Sequence, residues 1–238
     1  MDIPSSLAVI ALAALIHASF QLSVSVLTLL SGHAIGSKKT HVRLLRLTSS
    51  FVFGAGVMTM LLLSFVSLVL LHLYGDDTPQ VVWAASCGVL FGIALSVWLF
   101  YYRREKGTTL WIPRGVAEYL GHRTKVTKLS AEAFGLGLVS VTGELLFIIA
   151  PIFIASLVLI QLPAVWQLAG IAIYSVISLL SLIMVWVLIG SGHNLGRIQR
   201  WREKNKYFLQ FSAGAGLIVL GFFVYVTEIL GSSAIGFK

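Results

Sequence analysis

The chain has 238 residues, of which 58% are hydrophobic and only 11% charged, with a mean hydropathy of +0.93. A soluble domain carries about 45–50% apolar and about 25% charged residues, so the figures exclude a soluble globular domain, a disordered chain and a coiled coil. One cysteine, Cys87, excludes an intramolecular disulfide, a CxxC redox pair and a cysteine-rich metal site. The net charge of +8 would suggest nucleic acid in a soluble protein. In a polytopic membrane protein the placement of the basic residues carries more meaning than their sum.

A span needs about 20 mostly apolar residues, because each residue advances a helix about 1.5 Å through a hydrocarbon core of about 30 Å. Six runs meet that length: Leu7–Leu30, Leu47–Leu73, Val81–Tyr101, Ala133–Ile160, Ala164–Ile189 and Tyr207–Leu230. The first is too long for a signal-peptide core, and Asp2 is the one charge before it, where a signal peptide carries Lys or Arg. It is therefore expected to remain in the mature protein. The sequence thus predicts an all-α membrane protein of six transmembrane helices in one domain, residues 1–238. Within it, residues 102–130 form a cytoplasmic loop, and Leu110–Leu120, with Pro113 near a helix start, suits a short interfacial helix.

The loops set the orientation. Lys38, Lys39, Arg43 and Arg46 follow the first run, and the loop after the third holds seven basic residues from Arg103 to Lys128. Arg197, Arg200, Arg202, Lys204 and Lys206 follow the fifth, while Asp2, Asp76 and Asp77 occupy the other side. Sixteen of the seventeen Lys and Arg lie in these three loops, Lys238 being the exception. The positive-inside rule puts the three loops in the cytoplasm and both termini outside. Such loops attract anionic lipid headgroups at about 1 kcal/mol per residue near the surface. Nucleic-acid binding would need stacking aromatics interleaved with the basic residues, and Trp111 and Trp201 are the only indoles there.

Two internal symmetries can be read. Ser31-Gly32-His33 ends the first span as Ser191-Gly192-His193 ends the fifth, 160 residues on. At that same offset, Phe51-Val-Phe-Gly54-Ala-Gly56 matches Phe211-Ser-Ala-Gly214-Ala-Gly216, and Phe134-Gly135-Leu-Gly137 opens the fourth span similarly. These matches fit three repeated hairpins. Alternatively, six spans divide into two inverted halves of three, with Gln21 against Glu144, Leu15 against Leu138 and Ser19 against Thr142. Inverted three-span halves are a common transporter plan with the binding site at the midplane.

This layout of six spans, outside termini, basic first and third cytoplasmic loops and a Gly-x-Gly opening to the last span resembles the lysine-exporter superfamily. That superfamily also contains the thiol-reducing cytochrome c biogenesis transporters and the nickel/cobalt and manganese exporters. The resemblance covers nearly the whole chain in layout and implies a transport function in a bacterial or archaeal cytoplasmic membrane. The signature motifs are missing: His17-Ala-Ser-Phe-Gln21 stands where the amino-acid exporters have a Pro-Gly-Pro turn, and there is no His-Asp-His cluster. Cys87 alone cannot serve the branch that carries electrons through paired cysteines.

An ionisable group inside a span costs about 2.5–3.5 kcal/mol or more, which makes it a candidate for function. Glu144 lies near the middle of the fourth span, beside Thr142 and Gly143, with Pro151 following. His17 and Gln21 are four residues apart and share a helix face at mid-depth of the first span. Glu144, His17, Gln21 and Thr142 are the expected substrate or coupling-ion site, suited to holding a cation or relaying a proton. One carboxylate with two further N or O ligands is too few to name a metal. His33 and His193 mark the inner mouth, where a glycine C-cap and a helix C-terminus also suit histidine. Glu228, near the outer end of the last span, is in reach of water, and Ser175, Ser178 and Ser181 form a small-residue stripe suited to helix packing.

No nucleophile elbow, zinc-protease helix, phosphate loop or cofactor-binding motif occurs, so neither an enzyme nor a cofactor is expected. The leading expectation is a secondary transporter, an exporter of a small solute or ion. The alternative is a non-transporting membrane subunit that assembles with partner proteins, and a homo-oligomer is compatible with either.

Overall fold

The fold was analysed in a computed structural model, which describes residues 1–20, 22–32, 38–75, 78–100, 114–191 and 195–231. Every regular element among the described residues is a helix. In order they are α1 (Ile3–Ser19), α2 (Leu22–Gly32), α3 (Lys38–Tyr74), α4 (Gln80–Phe100), α5 (Arg114–Val126), α6 (Ser130–Gly143) and α7 (Leu145–Ile160). There follow α8 (Ala164–Ser178), α9 (Leu180–Gly190), α10 (Leu195–Lys204) and α11 (Lys206–Val224), which continues as a π-helical turn over Tyr225–Leu230. Hydrocarbon offers the backbone no hydrogen-bond partners, and a helix is the element that satisfies its own.

Among the described residues, α3, α4 and α11 are each long and apolar enough to cross a membrane. Three further apolar lengths are bent pairs: α1 and α2 at 48°, α6 and α7 at 80°, and α8 and α9 at 50°. The chain is an integral membrane protein with three to six candidate spans, six when each bent pair counts as one. The sequence reading anticipated these six stretches as continuous helices, but three are broken. Each break is preceded by a hydroxyl that takes a nearby carbonyl: Ser19 to Ile16 O at 2.6 Å, Thr142 to Leu138 O at 3.2 Å and Ser178 to Ser175 O at 3.1 Å. Such side-chain bonds compete with the helical ladder but do not suffice to break it, since Thr48 and Ser67 in α3 and Ser86 and Ser96 in α4 make them within unbroken helices.

Helix α5 begins at Arg114, directly after Pro113 in the sequence, and packs against α2 and α6; it overlaps the expected Leu110–Leu120 only from Arg114 onward and runs on to Val126. Helix α10 is a second, basic amphipathic helix, where the sequence reads only as a charged loop. At the start of α6 the Glu132 carboxylate accepts the N–H groups of Lys128 (2.8 Å) and Leu129 (3.1 Å). Helix α3 ends at Gly75, whose φ of +63° favours glycine and lets its N–H return to Leu71 O at 2.8 Å.

Packing rests on glycine notches. Helix α7 is the buried hub, touched by α1, α3 and α4. Helices α3 and α6 cross backbone against backbone: a Cβ at Gly54 would collide with the Phe134 carbonyl, and one at Gly137 with the Phe51 carbonyl. The two Phe-x-x-Gly elements therefore lock reciprocally. In the third, Gly214 makes room for the indole of Trp98, which stacks on Phe211 at 5.8 Å and donates to Phe211 O at 3.1 Å. One turn earlier on α11, the buried Gln210 amide donates to Val97 O (2.6 Å) and Trp98 O (2.8 Å), carbonyls of the last turn of α4. Gln210→Leu strands both, so we expect it to lower stability by about 1–3 kcal/mol, measured as a lower unfolding midpoint in detergent.

Candidate functional site

The breaks of all three bent pairs meet. Glu144 lies between α6 and α7 with φ −87° and ψ −6°, and its own carbonyl accepts Phe147 N (2.9 Å) and Ile148 N (3.2 Å), so it caps α7. Its side chain turns the other way, onto the first residues of α2. Glu144 Oε1 accepts the backbone N–H of Leu22 and that of Ser23, the latter at 3.0 Å. Oε2 lies 3.4 Å from the Ser23 hydroxyl, which is 3.2 Å from the hydroxyl of Ser140. The first N–H groups of a helix lack intrahelical acceptors and carry its positive dipole end, so they are a natural seat for a carboxylate. The carboxyl is 4% exposed and is satisfied by that seat.

Behind Ser23, the buried Arg202 reaches up from α10 and donates from Nη2 to the Ser25 hydroxyl at 2.8 Å. On the other side of the break, buried His17 places Nδ1 3.1 Å from the hydroxyl of Tyr174, a fully buried residue of α8. Ser181 donates to Ala18 O, a carbonyl in the last turn of α1. Phe20 stacks on Phe147 at 5.8 Å and closes that side.

Between these groups is a small chamber of about 20 Å³. Its walls include His17, Glu144, Thr59 of α3, and Ser178, Leu179 and Ser181 from the α8/α9 break. A water molecule needs about 10–15 Å³ and two to four polar partners, so the chamber fits one water or one small ion. The Thr59 hydroxyl is 1% exposed and has no hydrogen-bond partner within the protein. Taking a proton onto Glu144 would remove the charge at which the α2 N–H groups are aimed. Occupancy of this carboxyl is thereby tied to how α2 sits against α6 and α7.

Of the four residues expected at the site, Glu144 and His17 line one chamber. Thr142 does not join them: it is exposed and its hydroxyl bonds its own helix. Residues two apart on a helix face different ways, which is the reason. Gln21, His33 and His193 lie outside the described residues, as do the inner mouth and the end of the chain at Lys238. Among the described residues, no group of three or more His, Cys, Asp or Glu could hold a metal ion. Ser23, Ser140, Thr59, Tyr174 and Arg202 were missed by sequence reasoning. Only Arg202 carried a usable signal, being a lone helix face away from its basic neighbours on α10. Ser178 and Ser181, read as packing residues, turn out to line the chamber. Glu228 lies in the π-helical turn, 4.0 Å from the Met1 amino group. No family model, no curated protein and no solved structure matches the chain.

Proposed function

We propose that this protein is a secondary transporter, an exporter of a small solute or ion, in which Glu144 is the group that exchanges a proton for solute. The observation that carries this reading is the seat of the Glu144 carboxylate: at one helix break, on the helix N-terminus created by a second, beside a chamber completed by a third. Transporters place sites at discontinuous helices, because half-helix termini supply charge and backbone partners that an unbroken span does not. A permanently structural carboxyl would not need a chamber beside it. The protein acts on its solute by binding and release rather than by bond chemistry.

In this reading the three bent pairs are single spans, giving six, and the halves are inverted repeats. The alignment of Gln21 with Glu144 supports that pairing, because it superposes the gap between α1 and α2 on the gap between α6 and α7. The Phe-x-x-Gly elements, which suggested three hairpins, serve as packing notches at two crossings. The layout resemblance to the lysine-exporter superfamily points the same way and to a bacterial or archaeal cytoplasmic membrane. Basic α5 and α10 lie on the cytoplasmic side against anionic headgroups, with both termini outside. A membrane-impermeant lysine reagent added to intact cells is expected to modify Lys238 and spare Lys38, Lys125 and Lys204. Labelling of those three from outside would reverse the orientation.

The transport reading is tested in proteoliposomes containing a luminal pH dye. Small solutes are added singly: lithium, sodium, tetramethylammonium, octyltrimethylammonium, lysine, glutamate and leucine. At least one is expected to drive luminal pH change above protein-free vesicles. If none does, the chain is better understood as a membrane subunit that assembles with partners.

A further inference from the structure

The chamber at the three breaks is lined by oxygens whose protons are already committed. Ser178 donates its hydroxyl proton to Ser175 O at 3.1 Å, and Ser181 donates to Ala18 O. Each hydroxyl therefore has only lone pairs left for a further partner. Glu144 adds an acceptor of the same kind. Its Oε1 takes the N–H groups of Leu22 and Ser23, whereas Oε2 meets the Ser23 hydroxyl at 3.4 Å. A carboxylate offers about four lone-pair positions, so one on Oε2 is left for a ligand. The fourth oxygen belongs to Thr59 of α3. Its hydroxyl is 1% exposed and has no partner within the protein, although Thr48 and Ser67 of the same helix bond their own backbone carbonyls. A buried hydroxyl left unpaired is costly, and a ligand in the chamber removes that cost.

Charge and size select the ligand. A single water donates two protons and leaves at least one of Oε2, Ser178 Oγ and Ser181 Oγ without one, whereas a bare cation draws on all three and on Thr59. Among the described residues no Lys or Arg lines the chamber, and the Glu144 carboxyl is its one acidic group. One negative charge balances a monovalent ion, and no cluster of His, Cys, Asp or Glu is present among the described residues to hold a divalent one. Carboxylate and hydroxyl oxygens suit hard cations. A volume of about 20 Å³ has no room for an organic cation or for an ion with its hydration shell. A small ion is enclosed by few oxygens, and potassium needs more of them than this lining offers.

We infer that the chamber binds one bare lithium or sodium ion, held by Oε2 of Glu144 and the hydroxyl oxygens of Thr59, Ser178 and Ser181. This rests on the transporter reading and names the solute of its site. The four oxygens come from α3, from the α6/α7 break and from both sides of the α8/α9 break, so one ion bridges two broken spans. The other charged and titratable groups around Glu144 are Arg202 of α10, engaged with the Ser25 hydroxyl on the α2 side, and His17 of α1, whose Nδ1 is held by Tyr174 of α8. Helix α2 presents N–H groups and the Ser23 hydroxyl there, and α6 presents Ser140.

The test reads binding and movement on the full-length protein. In detergent at fixed pH and ionic strength, about 100 mM sodium or lithium chloride is expected to raise the unfolding midpoint by about 3 °C or more over choline chloride, with a smaller shift in potassium chloride. Thr59→Val removes the oxygen and keeps the shape. It should be as stable as wild type in choline chloride, because the hydroxyl has no protein partner to lose, and should lose the sodium shift, whereas Thr59→Ser should keep it. If Thr59→Val does not fold, Ser178→Ala removes another of the four oxygens and the same loss is expected. In vesicles with a luminal pH dye, sodium or lithium should drive proton movement, at least tenfold more slowly in Thr59→Val. No shift with sodium or lithium, an equal shift with potassium, or an undiminished shift in the variant overturns the inference. So does a sodium and lithium response that is inert in vesicles when another solute drives proton movement; the transporter reading then stands with that solute. If no solute moves protons, the transporter reading falls first and the inference with it.

Discussion

Glu144→Gln is expected to leave the bundle folded and to reduce solute-driven proton movement to the level of protein-free vesicles. Glutamine keeps the shape of the side chain and one carbonyl oxygen for the N–H groups of Leu22 and Ser23. Its amide can donate where Oε2 meets the Ser23 hydroxyl. Hydrogen bonds to a charged acceptor contribute about 1.5–3 kcal/mol against about 0.5–1.5 for neutral ones, so the stability cost should be near 1 kcal/mol. Glu144→Leu is the contrasting change. It strands two buried N–H groups at about 1–3 kcal/mol each and should lower the unfolding midpoint visibly. Proton movement and unfolding midpoint, read on the same preparations, separate the two roles of the residue. A glutamine variant that transports with the wild-type pH profile would show Glu144 to be a structural cap.

The largest effect on stability is expected at the α3/α6 crossing. A methyl group on Gly54 meets the carbonyl of Phe134, and one on Gly137 meets the carbonyl of Phe51 and lies 2.9 Å from Ala55 N. These are backbone atoms, so no side chain can rotate aside and the helices must separate. Overpacking in a core typically costs about 1–3 kcal/mol, and a clash without a rotamer escape belongs at or above the top of that range. Gly54→Ala and Gly137→Ala should therefore fail to accumulate or melt far below wild type in detergent. Gly135, two residues from Gly137, is the control: a Cβ there meets nothing within 4 Å. Gly135→Ala should be neutral or gain up to about 1 kcal/mol of helix propensity. A Gly54→Ala protein that melts with the wild type would mean that the helices do not cross as described.

The six apolar lengths were legible because span length follows from hydrocarbon thickness, and hydropathy reports it directly. The breaks were not, because an apolar average is blind to a single residue leaving the helical ladder. Ser19, Thr142 and Ser178 precede the breaks, but hydroxyls with the same local carbonyl bonds sit inside the unbroken α3 and α4, so the residue type does not mark a break. Glu144 stood out in the sequence because a carboxyl at depth is costly. Its partners did not, since they are backbone N–H groups of α2 and serines of a common kind. Thr142 was drawn to the site by its nearness along the chain, and helical geometry turned it away. Arg202 was read as one more basic residue setting orientation, although it is buried beneath α2 while its neighbour Trp201 is exposed. The Phe-x-x-Gly elements were legible as a repeat, but their reciprocal locking needed the crossing of α3 and α6.

The central claim is that the Glu144 carboxyl changes protonation when solute binds. Infrared difference spectroscopy of the protein in lipid, with and without the solute that moves protons in vesicles, measures this directly. The account predicts that, at a pH low enough to protonate this carboxyl before solute is added, solute addition removes its C=O stretch in the wild type, and that this difference band is missing from Glu144→Gln. A spectrum without a carboxyl band in the wild type, or the same band persisting in Glu144→Gln, would contradict it.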